Sequence, residues 1–115
     1  MIELNDNNFH NFLKQQDKLV IVDFWAPWCG LCTIQKEIML SLEKQSKNFI
    51  VASLNVDSDR KIVEEYTIYS IPAIYIFKNN KLLYKSEGKI KNEKLLLKEI
   101  ASFSLGTVDI FTSSK

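Results

Sequence analysis

The sequence predicts an α/β domain: a central mixed sheet of about five strands flanked by about four helices. Three observations carry this. Apolar, β-rich runs alternate along the chain with segments of helical periodicity. The last two strand-like runs are joined through an Asn79-Asn80 turn, too short for a helix, so they form an antiparallel hairpin. A length of 115 residues with 46% apolar side chains is enough for one core and no more.

Ile2 to Leu4 is a short first strand, and Asn5 and Asp6 are good N-cap types for a helix after it. Phe9, Phe12 and Leu13 recur at helical spacing and mark a core-facing helix that ends by Lys18. Leu19 to Trp25 is an apolar run broken only by Asp23, as expected for a strand buried on both faces. From Cys32 to about Gln45 a helix is expected with Ile34, Ile38, Met39 and Leu42 on its apolar face and Lys36, Glu37, Glu43 and Lys44 elsewhere. Phe49 to Val56 is a third strand. Asp57 and Ser58 are the expected caps of a helix running to about Tyr66, anchored by Ile62 and Val63. Ser70-Ile71-Pro72 is a break. Ala73 to Phe77 and Lys81 to Ser86 form the hairpin, and Gly88 ends it. Asn92 caps a final helix with Leu95, Leu96, Leu97, Ile100 and Ala101, to about Phe103. Residues 1–104 thus make one domain. Residues 105–115 are left as a C-terminal tail, either loose or packed back through Val108, Ile110 and Phe111.

Charge and composition exclude several function classes. The net charge is +1 and the lysines are scattered, so nothing favours nucleic acid or an anionic membrane. No apolar run approaches the roughly 20 residues of a membrane span. Met1 to Asp6 carries no secretory signal pattern, so a cytoplasmic location is expected. A monomer is the default.

Both cysteines, both tryptophans and one of the two prolines lie in Phe24-Trp25-Ala26-Pro27-Trp28-Cys29-Gly30-Leu31-Cys32. Two thiols spaced C-x-x-C, after an apolar strand and at the start of a helix, can close a small disulfide ring. The same spacing also serves as half of a zinc site. One such pair supplies only two of four zinc ligands, and the sequence has no second pair or histidine cluster. Asp23 is the anomaly of its strand. A buried carboxylate must be protonated, paired or hydrated; the alternative is a side chain turned out of the core. His10 reads as a surface residue rather than a partner for Cys29. The two indoles and Gly88 also have plain readings, as core and as a turn.

The lead-in Val20 to Ala26, the Cys29-Gly30-Leu31-Cys32 motif and the downstream Ile71-Pro72 resemble a thioredoxin, over roughly Met1 to Ser102. The resemblance implies the thioredoxin fold and protein-disulfide oxidoreductase activity in electron transport and cell redox homeostasis. It implies that Cys29 is the nucleophile, Cys32 the resolving thiol and Asp23 the proton acceptor. Trp28, Ile71, Pro72 and Gly88 would border the substrate groove, with Ile71–Pro72 in cis. Trp25, Pro27, Gly30 and Leu31 would set the active-site loop. The implied partners are protein disulfides and a thioredoxin reductase. No cofactor would be bound beyond the Cys29–Cys32 disulfide itself, with NADPH acting only through that reductase.

The sequence also departs from the family. Leu31 stands where proline is usual, which frees a backbone angle at the helix start and leaves the redox potential open, with a less reducing value expected. Ser53 replaces a lysine common beside the buried acid, so Asp23 should protonate more readily. Glu37 replaces a helix-kinking proline, and Asn80 a hairpin glycine. Three readings remain: a disulfide reductase, a thiol oxidant or disulfide isomerase, and a non-catalytic module that uses the groove only to bind.

Overall fold

The computed structural model describes residues 1–45, 48–90 and 92–105. The elements are β1 (Ile2–Leu4), α1 (Phe9–Lys14), β2 (Leu19–Trp25), α2 (Gly30–Lys44), β3 (Phe49–Asn55), α3 (Arg60–Tyr66), β4 (Ala73–Lys78), β5 (Lys81–Glu87) and α4 (Glu93–Leu105). They build one five-stranded sheet in the order β1-β3-β2-β4-β5. β1, β3 and β2 run parallel; β4 is antiparallel to β2, and β5 to β4. The strand-helix alternation followed by a hairpin is therefore the mixed sheet that the sequence pattern predicts.

Side chains alternate across a strand, and β2 distributes its apolar run accordingly. Val20, Val22 and Phe24 join a core with Phe9 and Leu13 of α1 and Ile62 and Val63 of α3. Leu19 and Ile21 join a second core with Met39 and Leu42 of α2 and Leu96 and Ile100 of α4. Asp23 follows Leu19 and Ile21 in that alternation, so it points to the α2 side of the sheet. The anomalous acid is buried and not turned out; its relative exposure is 2%.

Several boundaries differ from expectation. α1 ends at Lys14 rather than near Lys18, because Gln16 and Asp17 offer no apolar group beyond Leu13 to pack. α2 begins at Gly30, with Cys29 as its N-cap, and runs unbroken past Glu37. Its buried stripe is Cys32, Gln35, Met39 and Leu42. Ile34, expected on the apolar face, is exposed instead. α4 reaches Leu105, the first residue assigned to the tail. Residues 106–115, and the readings for Val108, Ile110 and Phe111, lie outside the described residues.

Asp57 and Ser58 do not cap α3. Its free N–H groups are met from the other end of the chain: Asp6 accepts from the N–H of Lys61 at 3.2 Å and of Ile62 at 3.0 Å. Asp59, the N-cap position, returns the bond by accepting from the Asp6 N–H at 3.0 Å. Asn5 holds the turn before α1, accepting from the N–H of Asn7 and Asn8. Asn92 Oδ1 accepts from the Lys94 N–H at the start of α4, as expected of a cap. Asn79 and Asn80 both have positive φ, 52° and 64°, which a two-residue hairpin loop of this hand requires.

Tyr75 carries a testable oddity. It is fully buried among Phe24, Tyr66 and Phe77, and its hydroxyl has no partner among the described residues. An unmet buried hydroxyl is destabilising. Tyr75→Phe is therefore expected to raise stability by about 1 kcal/mol, read as a higher urea midpoint. A lower midpoint would mean that the hydroxyl is in fact satisfied.

Candidate active site

Cys29 and Cys32 are joined by a disulfide, with their Cα atoms 5.2 Å apart. Cys29 is the N-cap of α2, and its Sγ accepts a hydrogen bond from the Cys32 N–H at 3.1 Å. Both cysteines are buried, Cys32 more deeply. An N-terminal helix end presents unpaired N–H groups and partial positive charge. Sulfur at this position therefore gains more as a thiolate than as a thiol.

The loop before the disulfide is set by the end of β2. The Cys29 N–H bonds the Ala26 carbonyl at 3.2 Å, and the Val56 N–H bonds the Trp25 carbonyl at 2.8 Å. Trp25 is half-buried and packs against the α1/α3 core. Trp28 is the opposite case. It is 70% exposed, yet its Nε1 donates to both carboxylate oxygens of Asp57, at 2.9 and 3.2 Å. That bond fixes the indole at the site and gives Asp57 its task in place of helix capping. Leu31 and Ile34, three residues apart on α2, are about half exposed and make an apolar ridge directly after Cys29.

Ile71–Pro72 is a cis peptide, as the family resemblance implies. The Pro72 carbonyl accepts from the Gly88 N–H at 2.8 Å, which binds the end of β5 to the cis-proline turn. Gly88 has φ of 86°, and nothing lies within 4 Å of where a Cβ would stand. Glycine is thus required by backbone conformation, and the space beside it is open. Tyr69, just before this turn, is 86% exposed.

Behind the disulfide lies a cleft of about 360 Å³. Asp23, Pro27, Cys32, Lys36 and Ser53 line it, with Met1 and Glu3 at the β1 side. Asp23 pairs with Ser53 in the β2–β3 register, so the residue that replaces the usual lysine does stand next to the acid. Burial pushes the Asp23 carboxyl up to about 7; the Gln35 side chain and then the Lys36 charge pull it partly back. A cation does reach this acid, but from α2 and not from β3.

Sequence reasoning missed Gln35, Lys36 and Asp57. Gln35 had a signal: the spacing Cys32, Gln35, Met39, Leu42 is a complete helical stripe with one polar member. His10 is half-buried rather than simply on the surface. Its ring nitrogens bond Asn80 Oδ1 and Glu65 Oε1, each at 2.8 Å. Burial lowers its pKa, but the bonds to Glu65 and Asn80 outweigh this and the net shift is upward. Its bonds run to α3 and the β4–β5 turn. Among the described residues, no group of three potential ligands is gathered for a metal ion.

Comparison with known proteins agrees with this geometry. The thioredoxin family model matches residues 1–102. The chain belongs to the thioredoxin family. It is 36% identical over 100 residues to a thioredoxin of Buchnera aphidicola subsp. Acyrthosiphon pisum, covering 86% of this chain and 91% of that one. It is 35% identical over 106 residues to a thioredoxin-like protein of Synechocystis, covering 90% and 97%. It matches a chain in a solved structure concerned with thiol resolution of a yeast mitochondrial 1-Cys peroxiredoxin via glutathione and thioredoxin systems. That match has a TM-score of 0.78 at 25% identity, over 89% of this chain and 94% of that one. The fold is therefore the thioredoxin fold, and this thioredoxin is a protein-disulfide oxidoreductase that works by dithiol–disulfide exchange through Cys29 and Cys32. No helix among the described residues is long and apolar enough to cross a membrane.

Proposed function

We propose that this thioredoxin runs in the reducing direction, as a cytoplasmic monomer that cleaves exposed disulfides in other proteins. The observation that carries the reading is the placement of the Cys29 sulfur at the α2 N-terminus, under the Cys32 N–H and ahead of a buried acid. The Cys29 thiolate attacks one sulfur of a substrate disulfide. A bond forms between Cys29 and that sulfur, and the other substrate sulfur leaves as a thiolate and is protonated from solvent. The Cys32 thiol then gives its proton to the Asp23 carboxylate and attacks Cys29 Sγ. The second substrate thiolate leaves, and two electrons have passed to the substrate while Cys29–Cys32 is oxidised.

A partner dithiol must reverse these steps, with Asp23 returning the proton to Cys32. A thioredoxin reductase drawing on NADPH is the proposed donor, and no bound cofactor is needed on this chain. The substrate segment lies across Trp28, the Ile71–Pro72 turn and Gly88, with the open space at Gly88 admitting its backbone as a short added strand. Trp25, Pro27, Gly30 and Leu31 hold the loop that presents Cys29.

Leu31 favours a second reading, thiol oxidant or disulfide isomerase, because the residues between the cysteines govern the potential. An equilibrium redox titration in glutathione and dithiothreitol buffers separates them, with thiols counted by mass spectrometry. A two-electron midpoint near the thioredoxin value of about −270 mV is the expected result. A midpoint above roughly −200 mV would assign the protein to oxidation or isomerisation. If no Cys29–Cys32 disulfide formed at any poise, only a binding module would remain.

A further inference from the structure

We propose that Gln35 is a positioning residue for Asp23: anchored by the Ile90 backbone, its side-chain amide faces the Asp23 carboxyl and holds it ready to take the Cys32 proton. This deepens the reading above and rests on Asp23 as the acceptor.

Gln35 has no exposed surface and lies one helical turn from Cys32, on a stripe whose next members are Met39 and Leu42. A polar side chain at such a position is costly unless its groups are used. One of them is. The Gln35 Oε1 accepts from the Ile90 N–H at 2.8 Å, a contact spanning 55 residues. Only the oxygen of an amide can accept from an N–H. The bond therefore decides which way round the amide sits and sends its NH2 group away from Ile90. That Nε2 is buried without a hydrogen-bond partner among the described residues, and so is Asp23 Oδ1. They are a buried donor and a buried acceptor on facing elements, α2 and β2. The Gln35 amide acts on Asp23 more strongly than any other group that opposes its burial.

The remaining groups around Asp23 do less. β3 contributes the Ser53 hydroxyl and β4 the apolar Ile74 in register. α2 contributes Cys32 and Lys36, the latter exposed and screened by solvent. From β1 comes Glu3, and beside it the Met1 amino group, which is paired with Glu43 at 3.0 Å.

The chemistry is directional. An amide NH2 donates and cannot accept. It therefore strengthens when the carboxyl is ionised and offers nothing to a carboxylic O–H, so it favours the form of Asp23 that can receive a proton. The anchor places this control in the segment just after Gly88, whose own N–H holds the cis-proline turn.

The test is to titrate the Asp23 carboxyl by carbon NMR in the full chain, in the disulfide form so that neither cysteine titrates. The variants are Gln35→Met and Asp23→Asn. Resolution of a preformed mixed disulfide is then followed against pH. In Gln35→Met the Asp23 midpoint should rise by roughly one pH unit. Resolution at pH 7 should slow about fivefold, in line with the smaller ionised fraction, while the first attack keeps its rate. In the unmutated protein the Gln35 side-chain NH2 signals should shift with the Asp23 midpoint, which decides the matter even if Gln35→Met does not fold. A lower melting temperature with an unmoved Asp23 midpoint, or Gln35 NH2 signals that ignore pH, would overturn the proposal and leave Gln35 as a strut for Ile90. If Asp23→Asn resolves with an unaltered pH profile, the proton-acceptor reading falls on its own, and with it the role of Gln35 in that step.

Discussion

Cys32→Ser should convert the protein into a trap. It can still attack through Cys29, but nothing remains to release the substrate, so a stable mixed disulfide accumulates at one equivalent per chain. Cys29→Ser should form no such adduct, and turnover in either variant should fall to background. The asymmetry follows from position. Cys29 caps α2 and receives the Cys32 N–H, so its thiolate is the stabilised one. Cys32 lies a turn deeper, at 3% exposure, where a substrate sulfur reaches it less readily. Mass spectrometry of the adducts, digested without reductant, checks the assignment. An adduct found on Cys32 in the Cys29→Ser protein would reverse the two roles.

Asp23→Asn should have two separable effects. Catalytically, it should slow the release of the mixed disulfide while leaving the first attack close to normal, because only the second step needs a base for Cys32. Equal slowing of both steps would remove Asp23 from the mechanism. Thermodynamically, it should stabilise the fold, and by an amount that depends on pH. The carboxyl is raised by burial from 3.8 to about 7 in the folded protein. Between those values the native state holds a proton that the unfolded chain has lost. The contribution of this group to stability is thus fully present below pH 4, declines as pH rises towards 7 and is gone above it. Asparagine carries no such penalty. Urea melts should show the variant more stable than its parent by up to roughly 4 kcal/mol at pH 8, with the gap closing towards pH 4. A difference that did not vary with pH would show that Asp23 titrates normally.

What could be read from the residues alone was local. The Val20–Phe24 run, the thiol spacing and the Asn79-Asn80 turn each carry their meaning within a few positions, and the sheet and its hairpin follow from them. Asp23 was conspicuous because it interrupts an apolar run. Its surroundings were not legible, because they are assembled from distant segments. Gln35 acquires a role only when Ile90, 55 positions away, takes its oxygen. Asp57 looked like a helix cap because aspartate after a strand often is one, yet Trp28 claims it from 29 positions upstream. Lys36 sits on a face that the helical pattern assigned to solvent, and the cleft beside Ser53 brings it towards the acid. With serine in place of the expected lysine on β3, Asp23 thus still feels a weak cationic influence from Lys36.

The mutual bonding of Asp6 and Asp59 bears on the order in which the fold is secured. Among the described residues the first strand has no neighbour in the sheet except β3, and Asp6 finds its backbone partners only at Lys61 and Ile62. The first strand and the turn after it are thus held by segments far along the sequence. Contacts of such sequence separation carry a closure cost that local ones do not. The Ile2–Asp6 segment is therefore expected to close the structure instead of nucleating it. Weakening the Asp6 clamp should therefore speed unfolding more than it slows folding, and it lies at the same strand ends as the disulfide, two residues from the Asp57 that holds Trp28.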